Sequence, residues 1–124
     1  MGAKVRARKF IAGFILAWGL PVAAMAAAAS HDGQWQVQLQ TTVGQCPPSV
    51  ETVVSIKQNR VVAISASGVT PWGYVDETNT FVGHFSSGQK VLRANGDVKG
   101  NSARGPWSSQ TDYCGGTWTA HKID

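Results

Sequence analysis

Gln34-Trp35-Gln36-Val37-Gln38-Leu39-Gln40-Thr41 is the stretch that decides the fold of this chain, because glutamine alternates along it with less polar side chains without interruption. Side chains of successive residues in a β-strand point to opposite faces, so the four glutamines lie on one face and the other four side chains lie on the opposite face. A period of two predicts a strand that buries the face containing Trp35 and exposes the glutamine face.

Short runs of the same kind follow along the rest of the chain, and turn-forming residues such as Gly44 and Pro47-Pro48 separate them. The further strands are predicted at residues 52–57, 61–67, 70–75, 80–85, 90–98, around Trp107 and at 116–122. No segment after residue 30 shows the 3.6-residue period of a helix. Eight short strands separated by turns predict an all-β domain, either a small antiparallel barrel or a β-sandwich.

Two details of these strands follow from the same alternation. In the third strand, Val62, Ile64 and Ala66 alternate with other residues and are predicted to share the buried face. In the sixth strand, Asn95-Gly96 predicts a β-bulge or an early hairpin turn, because this dipeptide favours positive backbone φ angles.

The two cysteines, Cys46 and Cys114, lie just after the first predicted strand and just before the last one. In an exported protein an even number of cysteines predicts a disulfide. A pair of metal-binding or redox thiols is the alternative, but the chain has no Cys-x-x-Cys spacing. If the first and last strands pair antiparallel, both cysteines fall at the same end of the sheet. That pairing closes an eight-stranded meander, so we favour a barrel over a sandwich.

The first 29 residues have the layout of a secretory signal peptide. Basic residues within 4–9 precede an apolar run at 10–22, and small residues at 23–29 supply an A-x-A cleavage site. We therefore predict a signal helix at 1–29 and a single β domain at 30–124, with a mature N-terminus between Ala27 and His31. A signal peptide implies that the protein is periplasmic or secreted, where disulfides persist.

An uncleaved N-terminal segment is the alternative interpretation. Residues 10–29 are just long enough to span a bilayer. Their second half is mostly alanine, which is weakly apolar, and Pro21 lies where signal peptides commonly break, so cleavage is favoured. Association with a membrane is expected only through this segment, if it stays attached.

The charge distribution argues against a nucleic-acid partner. The whole chain has 11 basic and 7 acidic residues and a net charge of +4. Four of the basic residues lie in the predicted signal and all of the acidic residues follow it, so residues 30–124 carry equal numbers of both. Recruitment to nucleic acid needs a surplus of Lys and Arg that this domain lacks.

Tryptophan and glycine lie next to each other or two residues apart at four places after the predicted signal. These are Gly33-Gln34-Trp35, Trp72-Gly73, Gly105-Pro106-Trp107 and Gly116-Thr117-Trp118. Glycine lets a bulky indole lie over a neighbouring backbone, so these motifs favour packing within the barrel. Trp35 and Trp118 fit the apolar faces of their strands and are predicted to be core. Trp72 and Tyr74 share one face of a strand that also contains proline and glycine, and are our candidate ligand-binding residues.

Recognisable catalytic and metal-binding patterns are absent from the sequence. There is no H-E-x-x-H motif and no P-loop, and the adjacent carboxylates Asp76-Glu77 lie in a predicted turn. The histidines His31, His84 and His121 have no Asp or Glu at the spacing of metal ligands. We therefore predict no enzymatic activity, no metal site and no cofactor.

Four motifs occur in order along the chain: Asp32-Gly33-Gln34-Trp35, Gly44-Gln45-Cys46, Gly105-Pro106-Trp107 and Cys114-Gly115-Gly116-Thr117-Trp118-Thr119-Ala120. This set resembles a group of small exported hypothetical proteins of rhizobia and related alphaproteobacteria, whose pattern is D-G-x-W, G-x-C, G-x-W and C-x-G-T-W-T-A. The chain departs from that pattern at Pro106, where a small or polar residue is more usual, and Trp72 and Tyr74 lie outside it. The resemblance implies a small exported domain and no particular activity.

The sequence thus predicts an exported, non-enzymatic β domain that binds a small molecule or glycan through aromatic side chains. The alternatives are a periplasmic protein-binding module such as an inhibitor, with an envelope protein as its partner, and a purely structural envelope protein. The interior of the barrel is the most useful observation for separating these hypotheses, because an eight-stranded barrel can be either filled or hollow.

Overall fold

The computed structural model describes residues 30–124. These residues form eight β-strands and the turns that connect them. The strands are β1 Gly33–Val43, β2 Ser49–Lys57, β3 Arg60–Ile64, β4 Thr70–Val75, β5 Thr80–Ser87, β6 Lys90–Lys99, β7 Ser102–Ser109 and β8 Cys114–Lys122. Every predicted strand is present, and most are slightly longer than predicted; β3 instead ends at Ile64, three residues before its predicted end, so Ala66 lies outside the strand. Within this range no helix is long and apolar enough to cross a membrane. The predicted signal helix at 1–29, and its alternative as a membrane anchor, lie outside the described residues.

The strands form a closed barrel in which each strand pairs antiparallel with the next and β8 pairs back onto β1. The shortest seam joins β3 to β4 through the Arg60–Tyr74 pair. Closure confirms the predicted antiparallel eight-stranded barrel, and the β-sandwich alternative is wrong. Closing the sheet also removes the two exposed edges that an open sheet of this size would present to other chains.

The interior is filled at the end of the barrel where β1 begins. Trp35, Phe81 and Trp118 are buried there, and the rings of Phe81 and Trp118 meet edge to face with their centroids 5.6 Å apart. Buried aliphatic residues complete this layer: Ile56, Val75, Val98, Ala103 and Ala120. The core positions predicted for Trp35 and Trp118 from strand alternation are therefore confirmed.

Three of the inward-facing aromatic residues each face a glycine on a neighbouring strand. The pairs are Phe81 with Gly96, Trp107 with Gly116, and Trp118 with Gly105. Because β7 and β8 are antiparallel, their two Gly-x-Trp motifs lie opposite each other, and each tryptophan faces the glycine of the other motif. A methyl group at Gly105 would overlap the carbonyl oxygen of Asn95, so the backbones of β6 and β7 approach closely at this point. The Gly-x-Trp motifs of β7 and β8 therefore serve packing of the barrel wall.

The indole of Trp118 also supplies a hydrogen-bond donor where the backbone pairing between β6 and β7 is interrupted. The two strands lose regular pairing for two residues each beside these glycines, and Pro106 has no N–H to donate there. The Nε1–H of Trp118 donates to the carbonyl oxygens of Asn95 and Pro106, at 3.1 Å in both cases. β6 itself continues through this point in regular register with β5, so the predicted bulge or early turn at Asn95-Gly96 is wrong.

A β-bulge between β2 and β3 reverses the predicted orientation of Val62. The register shifts by one residue there, and Val62 is the extra residue of β3. Val61 and Ile64 on either side pack against the core, whereas Val62 is 56% exposed on the outer surface. An extra residue in a strand breaks the alternation of faces, so the prediction that Val62 shares the face of Ile64 is wrong.

Cys46 and Cys114 form a disulfide whose Cα atoms are 6.0 Å apart. Cys46 belongs to the connection between β1 and β2, and Cys114 is the first residue of β8. The bond lies at the end of the barrel opposite the filled layer that contains Trp35. The predicted pairing of these cysteines is thus confirmed, and a disulfide is compatible with an oxidising compartment.

Candidate ligand-binding cavity

The barrel is hollow in the half that carries the disulfide. A cavity of about 330 Å³ occupies this half, and its volume lies in the range of small-molecule sites in proteins. Hydrocarbon side chains make up nearly all of its wall. Those that face it above the filled layer include Val37, Leu39, Ile64, Phe85, Leu92 and Trp107.

The exposure of inward-facing residues shows where the cavity opens. Val37, Leu39 and Leu92 point into the barrel and yet are only partly buried. The layer around Trp35 and Phe81 at the opposite end is fully enclosed. At the disulfide end the cavity is lined by residues of the connections and strand ends, such as Cys46, Pro47 and Asp112, so it opens at that end. The cavity therefore has one open mouth and a packed floor.

The segment before β1 covers the floor from outside. His31 is buried, its Nε2 lies 3.1 Å from Oδ1 of Asn79, and its backbone N–H donates to Oδ1 of Asn59 at 3.2 Å. The indole N–H of Trp35 donates to the carbonyl oxygen of His31 at 2.9 Å. Asn59 and Asn79 lie in the β2–β3 and β4–β5 turns, so His31 spans the barrel end between two hairpins. We call this segment, residues 30–32, the lid. The sequence pattern does not predict it.

Asp32 fastens the lid to the β2–β3 turn. Gln58 and Asn59 both have positive φ angles, 54° and 61°, as in a type I′ hairpin turn. The backbone N–H of Asn59 donates to Oδ1 of Asp32 at 3.1 Å. Hydrogen bonds from the backbone amides of Gln58 and then Asn59 hold the pKa of Asp32 below its ordinary value of 3.8.

Replacing Asp32 with Asn should lower stability at neutral pH and have little effect in acid. A carboxylate with a lowered folded-state pKa stabilises the fold above its unfolded-state pKa, and this stabilisation is lost as the pH falls through the folded-state value. Urea unfolding of the wild type and of Asp32→Asn, at neutral pH and at about pH 2.5, measures the difference. Glu77→Gln, in the exposed β4–β5 turn, is the matched control. An equal stability difference at both pH values would contradict the role of the Asp32 carboxylate.

Polar side-chain atoms inside the barrel already have partners within the protein. The Nε1–H of Trp107 donates to the carbonyl oxygen of Gln40 at 3.1 Å, and Oγ1 of Thr52 lies 3.0 Å from Oγ of Ser65. Across residues 30–124 the one buried side-chain polar atom without a partner is Nε2 of His84, which lies on the outer face of β5. Below the mouth, a molecule in the cavity would therefore face mostly hydrocarbon side chains.

The charged residues of the cavity lie at its mouth. Lys90 begins β6 and Asp112 lies between β7 and β8, and Nζ of Lys90 is 3.8 Å from Oδ1 of Asp112. Ser109 is buried beside them, and its Oγ accepts a hydrogen bond from the backbone N–H of Asp112 at 3.3 Å. The site is thus a cavity with an apolar wall and a polar mouth, and the Lys90–Asp112 ion pair lies at that mouth.

Trp72 and Tyr74 lie on the outer surface of β4 and do not line the cavity. Their rings meet edge to face with centroids 5.6 Å apart, and Trp72 is 52% exposed. The predicted shared face of these two residues is correct, and their role in binding a ligand stays a prediction. The cavity residues were missed because alternation along a strand marks Leu39 or Leu92 as core without showing whether anything fills the space in front of them.

The histidines are dispersed over the barrel. His31 lies in the lid, His84 on the outer face of β5 beside Trp72, and His121 on the exposed face of β8. In the part of the chain that the structure describes, no three His, Cys, Asp or Glu side chains are grouped so that they could hold a metal ion.

Fold and site together define a small disulfide-linked β-barrel with an apolar interior and one open end. Comparison of the chain with protein-family models, with curated proteins and with solved structures finds no match.

Proposed function

We propose that this protein is an exported, non-enzymatic barrel that binds a small apolar molecule in its interior. The observation that carries the proposal is the cavity of about 330 Å³ with an apolar wall, a packed floor and one open mouth. Ligand sites of this kind are concave, mostly apolar and largely preformed.

The energetic cost of an unfilled interior supports this proposal. Apolar side chains that face unfilled space forgo the stabilising contacts that packing against other apolar atoms would give them. The stability of a whole domain is only about 5–15 kcal/mol. Water would find few partners on the apolar wall, because the polar groups there are already bonded to each other. A bound apolar molecule recovers contacts that neither an empty nor a hydrated cavity provides.

Two further observations bear on compartment and chemistry. The Cys46–Cys114 disulfide fits an oxidising compartment, and the N-terminal sequence pattern supports export to one. The proposal contains no catalytic step, since the side chains that face the cavity are nearly all hydrocarbon and offer neither a nucleophile nor a general base at its centre.

Binding of a glycan or a protein at the outer wall is the second candidate function. It rests on the half-exposed indole of Trp72, which lies beside Tyr74 on a surface that also exposes Val62. Exposed aromatic rings offer both an apolar face and a polar edge to such partners. The experiment below separates this surface from the interior.

Filling the cavity with a larger side chain should abolish binding of an apolar probe. We expect N-phenyl-1-naphthylamine to fluoresce when its naphthyl ring system, which has ten carbons, enters the wild-type barrel and its phenylamine group stays at the mouth. Leu39→Trp should weaken this binding by about tenfold or more, because the added indole occupies the same space as the naphthyl ring. Gln38→Trp places the same side chain on the outer face of the same strand and is the matched control. Circular dichroism verifies that both variants are folded.

The same titration distinguishes the two candidate sites. Trp72→Ala should leave probe binding unchanged if the interior is the site. Probe binding that survives Leu39→Trp but is lost in Trp72→Ala would assign the ligand to the outer wall. Absence of probe binding to the folded wild type would overturn the proposal of an apolar ligand.

A further inference from the structure

Polarity within the cavity changes along the barrel axis. The floor is formed by hydrocarbon and aromatic residues, with Trp35 and Phe81 at its centre. Apart from Thr52, which lies deeper, the hydroxyl and charged residues that line the cavity cluster at the mouth: Thr41, Ser86, Ser87, Lys90, Ser109 and Asp112. A molecule that matches this gradient has an apolar body and one polar end. Its polar end has to lie at the mouth, where water and polar side chains remain available.

In the ion pair at the mouth, Asp112 is held in place by more contacts than Lys90. Asp112 receives support from Ser109, whose Oγ bonds to the Asp112 backbone and lies 3.5 Å from Oδ2. The side chain of Lys90 is 72% exposed and its contact with Asp112 is long for an ion pair. Lys90 occupies the same strand face as Leu92 and Ala94, which both line the cavity. The ammonium group can therefore turn toward a ligand while Asp112 keeps its partner.

We infer that the ligand is an amphiphile with a single aliphatic chain and an anionic end group such as a carboxylate, with the chain in the barrel and the anion beside Lys90 at the mouth. This inference rests on the proposed function. An anionic end group gains a charge-assisted contact with Lys90 that a neutral one lacks. A cationic end group would instead have to displace Lys90 from Asp112 and lie next to its charge.

The dimensions of the cavity limit the length of the chain. At about 30 Å³ per water-sized group, about 330 Å³ accommodates on the order of ten non-hydrogen atoms. The packed floor, with its His31 lid, prevents a longer chain from passing through the barrel. A chain of about ten carbons therefore fills the cavity, and additional carbons remain outside.

Decanoate, decanol and decyltrimethylammonium are the probes that test this inference, because they share a chain and differ in end-group charge. Each competes with N-phenyl-1-naphthylamine on the full mature protein. We expect wild type to prefer decanoate, and Lys90→Ala to weaken decanoate by roughly threefold with decanol unchanged. Asp112→Asn should strengthen decanoate binding, because it frees Lys90 and removes a like charge. Lys99→Ala, on the outer wall at the opposite end, is the matched control.

The outcomes separate this inference from the proposed function. Equal binding of decanol and decanoate, with no effect of Lys90→Ala, would overturn the anionic end group and leave the apolar site intact. Preference for decyltrimethylammonium, weakened by Asp112→Asn, would overturn it in favour of a cationic end group. Failure of all three probes to displace N-phenyl-1-naphthylamine would overturn the aliphatic chain, and failure of that dye to bind would overturn the proposed function itself. A preference for decanoate that fades at high salt supports the inference.

Discussion

Replacement of Trp118 with Ala should destabilise the folded barrel by about 3–5 kcal/mol, which is the usual loss on emptying a large buried aromatic site. Trp118 is 6% exposed and contacts Phe81 edge to face in the filled layer. Its indole N–H also donates to the carbonyl oxygens of Asn95 and Pro106, which the variant leaves without that donor. Since a domain of this size is stable by only about 5–15 kcal/mol, the variant should lose much of its folded population.

Two further variants separate packing from hydrogen bonding and from surface effects. Trp118→Phe keeps most of the ring volume and removes the N–H, so it should cost less, about 1–3 kcal/mol. Trp72→Ala removes a half-exposed ring that contacts Tyr74 at its edge, and should cost about 1 kcal/mol. Urea unfolding followed by far-UV circular dichroism measures all three free energies of unfolding. If Trp72→Ala proves as damaging as Trp118→Ala, the outer aromatic pair belongs to the structural core.

The sequence pattern was sufficient to predict the barrel because local and long-range signals agree. Strict alternation in 34–41 identifies β1, and turn residues delimit the other strands. The positions of Cys46 and Cys114 then supply the one long-range constraint that favours pairing of the first and last strands. Each of these signals can be seen in one dimension, and for this reason the strand order and the closure were both predictable.

The errors in the prediction arise where pairing between strands decides the outcome. Strand alternation places Val62 on the same face as Ile64, but the bulge opposite β2 turns Val62 outward. The sequence of β3 alone does not indicate the extra residue. Asn95-Gly96 has the composition of a turn, yet β6 passes straight through in regular register with β5, and Gly96 lies against the backbone of Arg104 and Gly105. Register between strands overrides local preference at both positions.

The cavity was not predictable because it depends on what lies across the barrel axis. Inward positions of β4, β5 and β7 at mid-height are occupied by Gly73, Gly83 and Gly105, which contribute no side chain to the interior. At Gly83 the rings of Phe81 and Phe85 lie close to where a side chain would begin, so they lie along the wall there. A sequence pattern marks these glycines as turn or packing signals, and only the closed sheet shows which space across the barrel axis stays unfilled.

Removal of the Cys46–Cys114 disulfide should destabilise the protein by about 4 kcal/mol. The bond links residues separated by 68 positions, and loop-closure entropy in the unfolded chain gives this value for a loop of that length. The hollow upper half of the barrel makes the loss more serious, because few interior contacts hold the β1–β2 connection against β8 at that end. The double variant Cys46→Ala/Cys114→Ala, which avoids leaving a polar group at the buried position of Cys114, should unfold at a correspondingly lower urea concentration.

Reduction of the wild type is the internal control for this prediction, because it breaks the same bond without changing the sequence. Reduced wild type and the double variant should have similar stabilities, and reductant should have no effect on the variant. Intact mass after alkylation, with and without reductant, shows whether the native protein carries free thiols. Alkylation of the native oxidised protein would contradict the disulfide. Equal stability of wild type and variant would instead show that pairing of β1 with β8 holds the open end together without the bond.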